Sequence, residues 1–273
     1  MKITCLIENN SNKEKTLRSE HGLSLLIEYN KKRILFDCGQ SNNLILNAKD
    51  MGINLSLINY FILSHSHYDH TGAILEIGNM QKSKKNLYIG KNFFEEKYKY
   101  ISDNEYKYIG ISFDKCDVKE KYNLVEVQED VLKIDKNIFL VKNFENKYEK
   151  LNKKLLKKNN DKYILDNFEE EMVLVIDKKD GLVVIAGCSH VGLVNILHTI
   201  KKRFNKNIYA FIGGTHLVNE DLLRVKFTIE YLKQNNIQKI LAVHCTGNKA
   251  GKIMKSELKE KFIDFSTGSS IKL

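Results

Sequence analysis

Ser64-His65-Ser66-His67-Tyr68-Asp69-His70-Thr71-Gly72 places three imidazoles and one carboxylate within six consecutive positions. Leu57-Ile58-Asn59-Tyr60-Phe61-Ile62-Leu63, apolar and partly β-branched and aromatic, runs into it and reads as a buried strand. Thr71-Gly72-Ala73-Ile74-Leu75 follows and reads as the start of a helix, with Thr71 as its cap. The donors therefore belong on a loop at the carboxyl end of a strand, where open α/β sheets place their ligands. In an extended loop the rings of His65 and His67 project to one side. Asp69 and His70 diverge toward a neighbouring point, a spacing that suits two metal ions better than one. Imidazole and carboxylate are the donors of zinc and related ions that keep coordination positions open. A His-rich polar surface loop is the plainer alternative, but such a loop needs no apolar strand feeding it.

Upstream, Ile3-Thr4-Cys5-Leu6-Ile7 reads as a first strand. Glu20 to Glu28 and Arg33-Ile34-Leu35-Phe36-Asp37-Cys38-Gly39, joined across Asn30-Lys31-Lys32, read as a hairpin. Asn43 to Met51 has one apolar face and ends at Gly52, as a helix does. Between about 82 and 170 the pattern is looser. Leu87-Tyr88-Ile89 reads as a strand, and Val118–Val127 and Val131–Val141 as two more. Tyr98, Tyr100, Tyr106 and Tyr108 form an aromatic cluster that serves either as a wall beside the site or as ordinary packing. The Lys-rich run from Lys147 to Lys162 carries Tyr148, Leu151, Leu155 and Leu156 at a spacing compatible with a solvated helix.

The last hundred residues repeat one unit. Strands at Val173–Ile176 and Leu182–Ala186 meet at a turn, and the second ends in Gly187-Cys188-Ser189-His190 before a helix over Leu193–Phe204. A strand at Ile208–Ile212 ends in Gly213-Gly214-Thr215-His216 before a helix capped by Asn219. A strand at Ile237–Val243 ends in His244-Cys245-Thr246-Gly247 before a helix over Ala250–Phe262. Small residues at these ends let the backbone approach a site. The three imidazoles would line one edge of a sheet.

A chain of 273 residues can bury a sizeable core without disulfides, and its five cysteines show no paired spacing. Free thiols in a reducing compartment fit best. There is no run long enough to span a bilayer, and the first apolar stretch is too short for a signal peptide, so the expected location is the cytoplasm. The net charge of +10 invites a nucleic-acid reading. Its lysines are spread along the chain without an aromatic-basic module, which disfavours nucleic acid and leaves a small molecule as the expected partner.

The His-x-His-x-Asp-His pattern after a strand resembles the signature of the metallo-β-lactamase superfamily. Glu20–Glu28, Leu35-Phe36-Asp37-Cys38-Gly39, Leu63–Gly72, Gly181–His190, Ile212–Leu217 and His244–Gly247 together are similar to one branch of it. That branch is the 7,8-dihydropterin-6-methyl-4-(β-D-ribofuranosyl)aminobenzene 5′-phosphate synthase-like group. The resemblance implies an α/β fold, an αββα sandwich of two mixed β-sheets flanked by helices, as a single domain over 1–273 with an insertion at about 82–170. It implies one or two divalent ions, zinc first and iron or manganese next. The implied ligands are His65, His67, Asp69, His70, His190 and His244. A helix-capping role for His190 and a buried structural role for His244 are the alternatives. Asp37 is expected to brace the metal loop or to serve as a strand-end turn carboxylate.

The chain departs from the superfamily in two places. No His stands near Leu165–Glu169, and Cys188 occupies the place of a bridging Asp. Cys188 is either a thiolate ligand or, preferably, inert beside the metal, and His216 touches substrate or supports the ligands. The implied activity is hydrolysis of a small phosphoester or related ester by a metal-activated hydroxide. Asp69 would hold one metal and orient that hydroxide, or act as general base. A metal-dependent transferase of dihydropterin (methanopterin-type) biosynthesis is the alternative, and a non-catalytic metal or redox-sensing protein the second.

Overall fold

The computed structural model describes residues 1–12, 14–103 and 105–273. The chain forms two compact units. The first comprises 1–128, 152–170 and 266–273, the second 129–151 and 171–265, so the stretch expected as an insertion contributes to both.

The first unit is built on a seven-stranded mixed sheet. Its order is Ser270–Lys272, Lys2–Ile7, Ser24–Tyr29, Lys32–Phe36, Tyr60–Ile62, Asn86–Gly90 and Asn123–Val127. The first four are antiparallel neighbours, and the last four run parallel. The expected hairpin is present, with Leu26 opposite Leu35 and a turn whose Asn30 and Lys31 both have positive φ. Leu6, Leu26, Leu35, Phe61, Leu63 and Leu87 pack with the helix Asn43–Asp50 into one core. Leu63 and Ser64 leave the sheet where Phe36 pairs Ile62, so the His-rich loop starts beside Asp37.

The second unit carries a six-stranded mixed sheet. Its order is Lys239–Val243, Ile208–Gly214, Gly181–Ala186, Met172–Lys178, Ile138–Lys142 and Val131–Asp135. The first three are parallel, and their carboxyl ends share one edge. The helices Leu193–Phe204, Leu222–Gln234 and Asn248–Leu258 cover a core of Val173, Val175, Leu182, Val184 and Phe211. The α/β class expected from the sequence is thus present in both units.

Several local expectations are corrected. Thr71 caps nothing: it ends a short helix, Tyr68–Thr71, and its hydroxyl donates back to the His67 carbonyl at 3.0 Å. Val118 lies in a helix, Lys115–Lys121, because Asp114 and Asp117 form a reciprocal capping box, and the strand begins only at Asn123. Val131–Val141 is a hairpin, with Asn137 in the left-handed region at its turn. Asp221, not Asn219, caps the next helix, its carboxylate accepting the Arg224 N–H at 2.8 Å.

Lys147–Lys162 is not a helix. Its second half is a hairpin, Leu155–Asn159 with Lys162–Leu165, turning on Asn160 and Asp161 at positive φ. That hairpin joins Lys97–Ser102 and Glu105–Tyr108 in a third, antiparallel sheet of the first unit. On it the tyrosines pack on one another, Tyr106 stacking on Tyr163 at 3.8 Å and Tyr98 meeting Tyr108 and Tyr163 edge-on.

One buried ion cluster ties this sheet to the loop. Lys97, with no exposed surface, meets Asp166 at 2.8 Å and Glu170 at 2.9 Å. Burial opposes the charge on Lys97, but Glu170 and Asp166 outweigh it and hold the amine above its usual range. Ser66, between the two leading histidines, donates to Glu170 at 3.2 Å. Removing this cation from two buried carboxylates is costly, so Lys97→Met should lower unfolding stability by about 3–5 kcal/mol. Urea denaturation checks this, and Lys97→Met combined with Asp166→Asn and Glu170→Gln should recover most of the loss.

Candidate metal centre

In the first unit the His-rich loop hangs from one carboxylate. Asp37 is fully buried; its Oδ1 accepts the Ser64 N–H at 2.7 Å, and its Oδ2 accepts the Ser64 hydroxyl at 2.8 Å and His70 Nδ1 at 2.7 Å. Because the Ser64 hydroxyl is committed to Asp37, its oxygen accepts from His65 Nδ1 at 2.8 Å. The network thereby assigns the proton of both His65 and His70 to Nδ1 and the lone pair to Nε2. His65 Nε2 then lies 3.1 Å from His67 Nδ1, and His70 Nε2 lies 3.7 Å from Asp69 Oδ2. His65 thus lies against His67, and His70 beside Asp69.

Backbone bonds fix the same loop to its neighbours. Cys38 N–H donates to the His70 carbonyl at 2.7 Å, Leu23 N–H to that of Asp69 at 3.2 Å, and Gly72 N–H to that of Gly39 at 2.8 Å. A side chain at Gly72 would run into the Gln40 backbone, which is why a glycine closes the motif. His21 adds a group that sequence reasoning missed: its Nε2 lies 3.1 Å from Asp69 Oδ2, with the ring about half exposed. Its only signal was its place in the Glu20–Glu28 segment. Tyr68, beside Asp69, has its phenol raised above its usual range by burial and by that carboxylate.

In the second unit the three strand ends are stitched together. Gly214 N–H donates to the Gly187 carbonyl at 2.8 Å, Ser189 Oγ to the Gly214 carbonyl at 2.8 Å, and Thr215 Oγ1 to Thr246 Oγ1 at 3.0 Å. His190 and His216 have ring centroids 4.4 Å apart. Cys188, His244 and Cys245 offer ligand atoms that all lie within 4.8 Å of one another. The residue at the N-cap of the helix Leu193–Phe204 is Gly192, which has no side chain to cap with. The turn before the helix Leu193–Phe204 is held instead by two buried carboxylates, Glu171 on the N–H groups of His190 (2.8 Å) and Val191 (2.9 Å), and Glu149 on that of Val194 (2.5 Å). Burial raises the Glu149 carboxyl above its usual range, although Arg224 stands 2.8 Å away.

Asp37, Ser189, His216 and His244 all adopt φ between 51° and 62°, a region non-glycine residues seldom enter. Such backbone costs of order 1–3 kcal/mol each and persists where the surroundings over-determine it, commonly at functional sites. The donors of each unit, imidazole, carboxylate and in the second unit thiol, fit a divalent transition metal.

A family model for the metallo-beta-lactamase superfamily matches residues 18–84. The chain is 34% identical to the 7,8-dihydropterin-6-methyl-4-(beta-D-ribofuranosyl)-aminobenzene-5′-phosphate synthase of Methanocaldococcus jannaschii, over all of this chain and 96% of that one. Among solved structures it resembles Tm1679, a metal-dependent hydrolase of the beta-lactamase superfamily, with 31% identity, a TM-score of 0.88, and coverage of 100% of this chain and 99% of that one. Zn²⁺-bound PqqB from Methylobacterium extorquens shares the fold alone, at 11% identity and a TM-score of 0.61, with all of both chains covered. These matches give the chain the fold expected from its sequence, an α/β fold of two mixed sheets with flanking helices. No helix among the described residues is long and apolar enough to cross a membrane.

Asp37 fixes two imidazoles without being placed to bind metal itself. Asp37→Asn, whose single acceptor oxygen cannot fill the places of both Oδ1 and Oδ2, should weaken zinc binding about 10–100-fold. Competition titration against a chromophoric chelator measures this, and an unchanged affinity would remove Asp37 from that role.

Proposed function

Since the chain belongs to the metallo-β-lactamase superfamily, we propose that it is a metal-dependent hydrolase of a small phosphoester or related ester. The observation carrying this reading is the pair of donor sets, His65 with His67 and Asp69 with His70, in which Asp37 fixes the tautomers of His65 and His70. We propose as metal ligands His65, His67, Asp69, His70, His190 and His244, with zinc as the first choice of ion, in a single domain that works in the cytoplasm. A divalent ion bound by such donors lowers the pKa of water and polarises the oxygen of a scissile bond.

The remaining work falls to side chains. Asp69 is the proposed proton acceptor, and His21 Nε2 lies 3.1 Å from its Oδ2. His216, held at positive φ beside His190, is proposed to contact the substrate. Burial of the loop from Ser64 to Asp69, apart from the half-buried Tyr68, keeps water from competing for these contacts.

A second reading, a metal-dependent transferase acting on a reduced pterin, is favoured by the full-length similarity to the dihydropterin-related synthase. The same donors would then assist departure of a phosphate or pyrophosphate group.

Asp69→Asn should reduce kcat on generic phosphodiester or ester substrates by about 10²–10⁴-fold. His65→Ala combined with His67→Ala should abolish turnover, and full activity in that double variant would refute the hydrolase reading. A thermal shift produced by a reduced pterin, with no turnover of simple esters, would select the transferase instead.

A further inference from the structure

Cys188, His244 and Cys245 come from two strand ends of one sheet, are 3%, 4% and 6% exposed, and bring two sulfurs and an imidazole nitrogen within 4.8 Å of one another. The sulfur of Cys245 is held in place rather than loosely packed. It accepts the His216 backbone N–H at 3.2 Å, and its S–H, the proton a metal would displace, donates to the Cys188 carbonyl at 3.5 Å. Residue 214 must be glycine for this, since a side chain there would occupy the space of the sulfur.

The other buried thiols lie away from any imidazole, in apolar surroundings. Cys5 lies within the strand Lys2–Ile7 and Cys38 in the apolar core of the first unit, and burial pushes both thiols up. They are small hydrophobes. Cys188 and Cys245 instead flank an imidazole at the sheet edge where the backbone is strained at Ser189, His216 and His244.

We infer that Cys188 and Cys245 are sulfur ligands, and that together with His244 they form a mixed nitrogen–sulfur site for a borderline or soft divalent ion such as Zn²⁺, Fe²⁺ or Co²⁺. Two sulfurs discriminate against Mg²⁺ and Ca²⁺, which take oxygen donors. This rests on the proposed role of His244 as a ligand and adds to it the chemistry that selects the ion. It also reverses the sequence-based preference for an inert Cys188.

Cobalt reads the site without any substrate. The protein stripped of metal and loaded with Co²⁺ alone should show visible ligand-field bands together with an intense near-ultraviolet sulfur-to-cobalt band. Cys188→Ser and Cys245→Ser should each weaken the ultraviolet band, and the double variant should lose it while keeping visible bands. Each single variant should also bind zinc at least tenfold more weakly. Visible bands without the ultraviolet band in the unaltered protein would overturn the sulfur ligands and leave the His/Asp reading standing. Absence of both would overturn the two together. Because the first comparison uses the unaltered protein, a variant that fails to fold does not protect the inference.

Discussion

One buried carboxylate organises the first unit. Asp37 has no exposed surface and sits at φ 59°, so the chain accepts both a desolvated charge and a strained backbone at one residue. Three hydrogen bonds to its two oxygens offset that cost, each bond to a charged group contributing about 1.5–3 kcal/mol. All three partners lie on the loop it supports. Remove the carboxylate and Ser64 loses its acceptor, His65 its fixed tautomer, and His70 its orientation. The donor pairs follow from Asp37, not from the histidines alone.

The second unit meets the same demand with different residues. Its donors project from parallel strand ends, where backbone bonds between Gly187 and Gly214 and between Cys245 and Val218 set the spacing. Glu171 and Glu149 occupy the N–H groups at the start of the helix Leu193–Phe204, so the turn carrying His190 cannot rotate. Asn195 completes the clamp: its Oδ1 accepts from the backbone of Lys147, Tyr148 and Glu149, and its Nδ2 donates to the carbonyls of Glu149 and Val191. Buried charge is concentrated in both units beside the donor loops, with Lys97, Asp166 and Glu170 as the counterpart in the first.

Where hydrophobic period and turn chemistry agree, the sequence reads correctly. The helix Leu193–Phe204 and the hairpins across Asn30-Lys31 and Lys179-Asp180 fall where expected, because the apolar runs there are long and the turn residues strong. The Lys147–Lys162 run misleads because its leucines satisfy a helical spacing locally. The Asn160-Asp161 turn and pairing of Leu156 with Tyr98 and Leu165 win through contacts far along the chain. Val118–Val127 reads as one strand, whereas a capping box makes its start a helix. His65, His67, Asp69 and His70 were legible as a cluster in one loop. His21, Glu149, Glu171 and the sulfur of Cys245 were not, since each acquires its role only when distant segments meet.

The central claim is that these donor sets exist to hold a transition-metal cation. Elemental analysis of the protein, purified without added metal and dialysed against a weak chelator, addresses it directly. The account predicts one or two equivalents of zinc, iron or manganese per chain. A chain that retained none, and took up none when offered Zn²⁺, would contradict it.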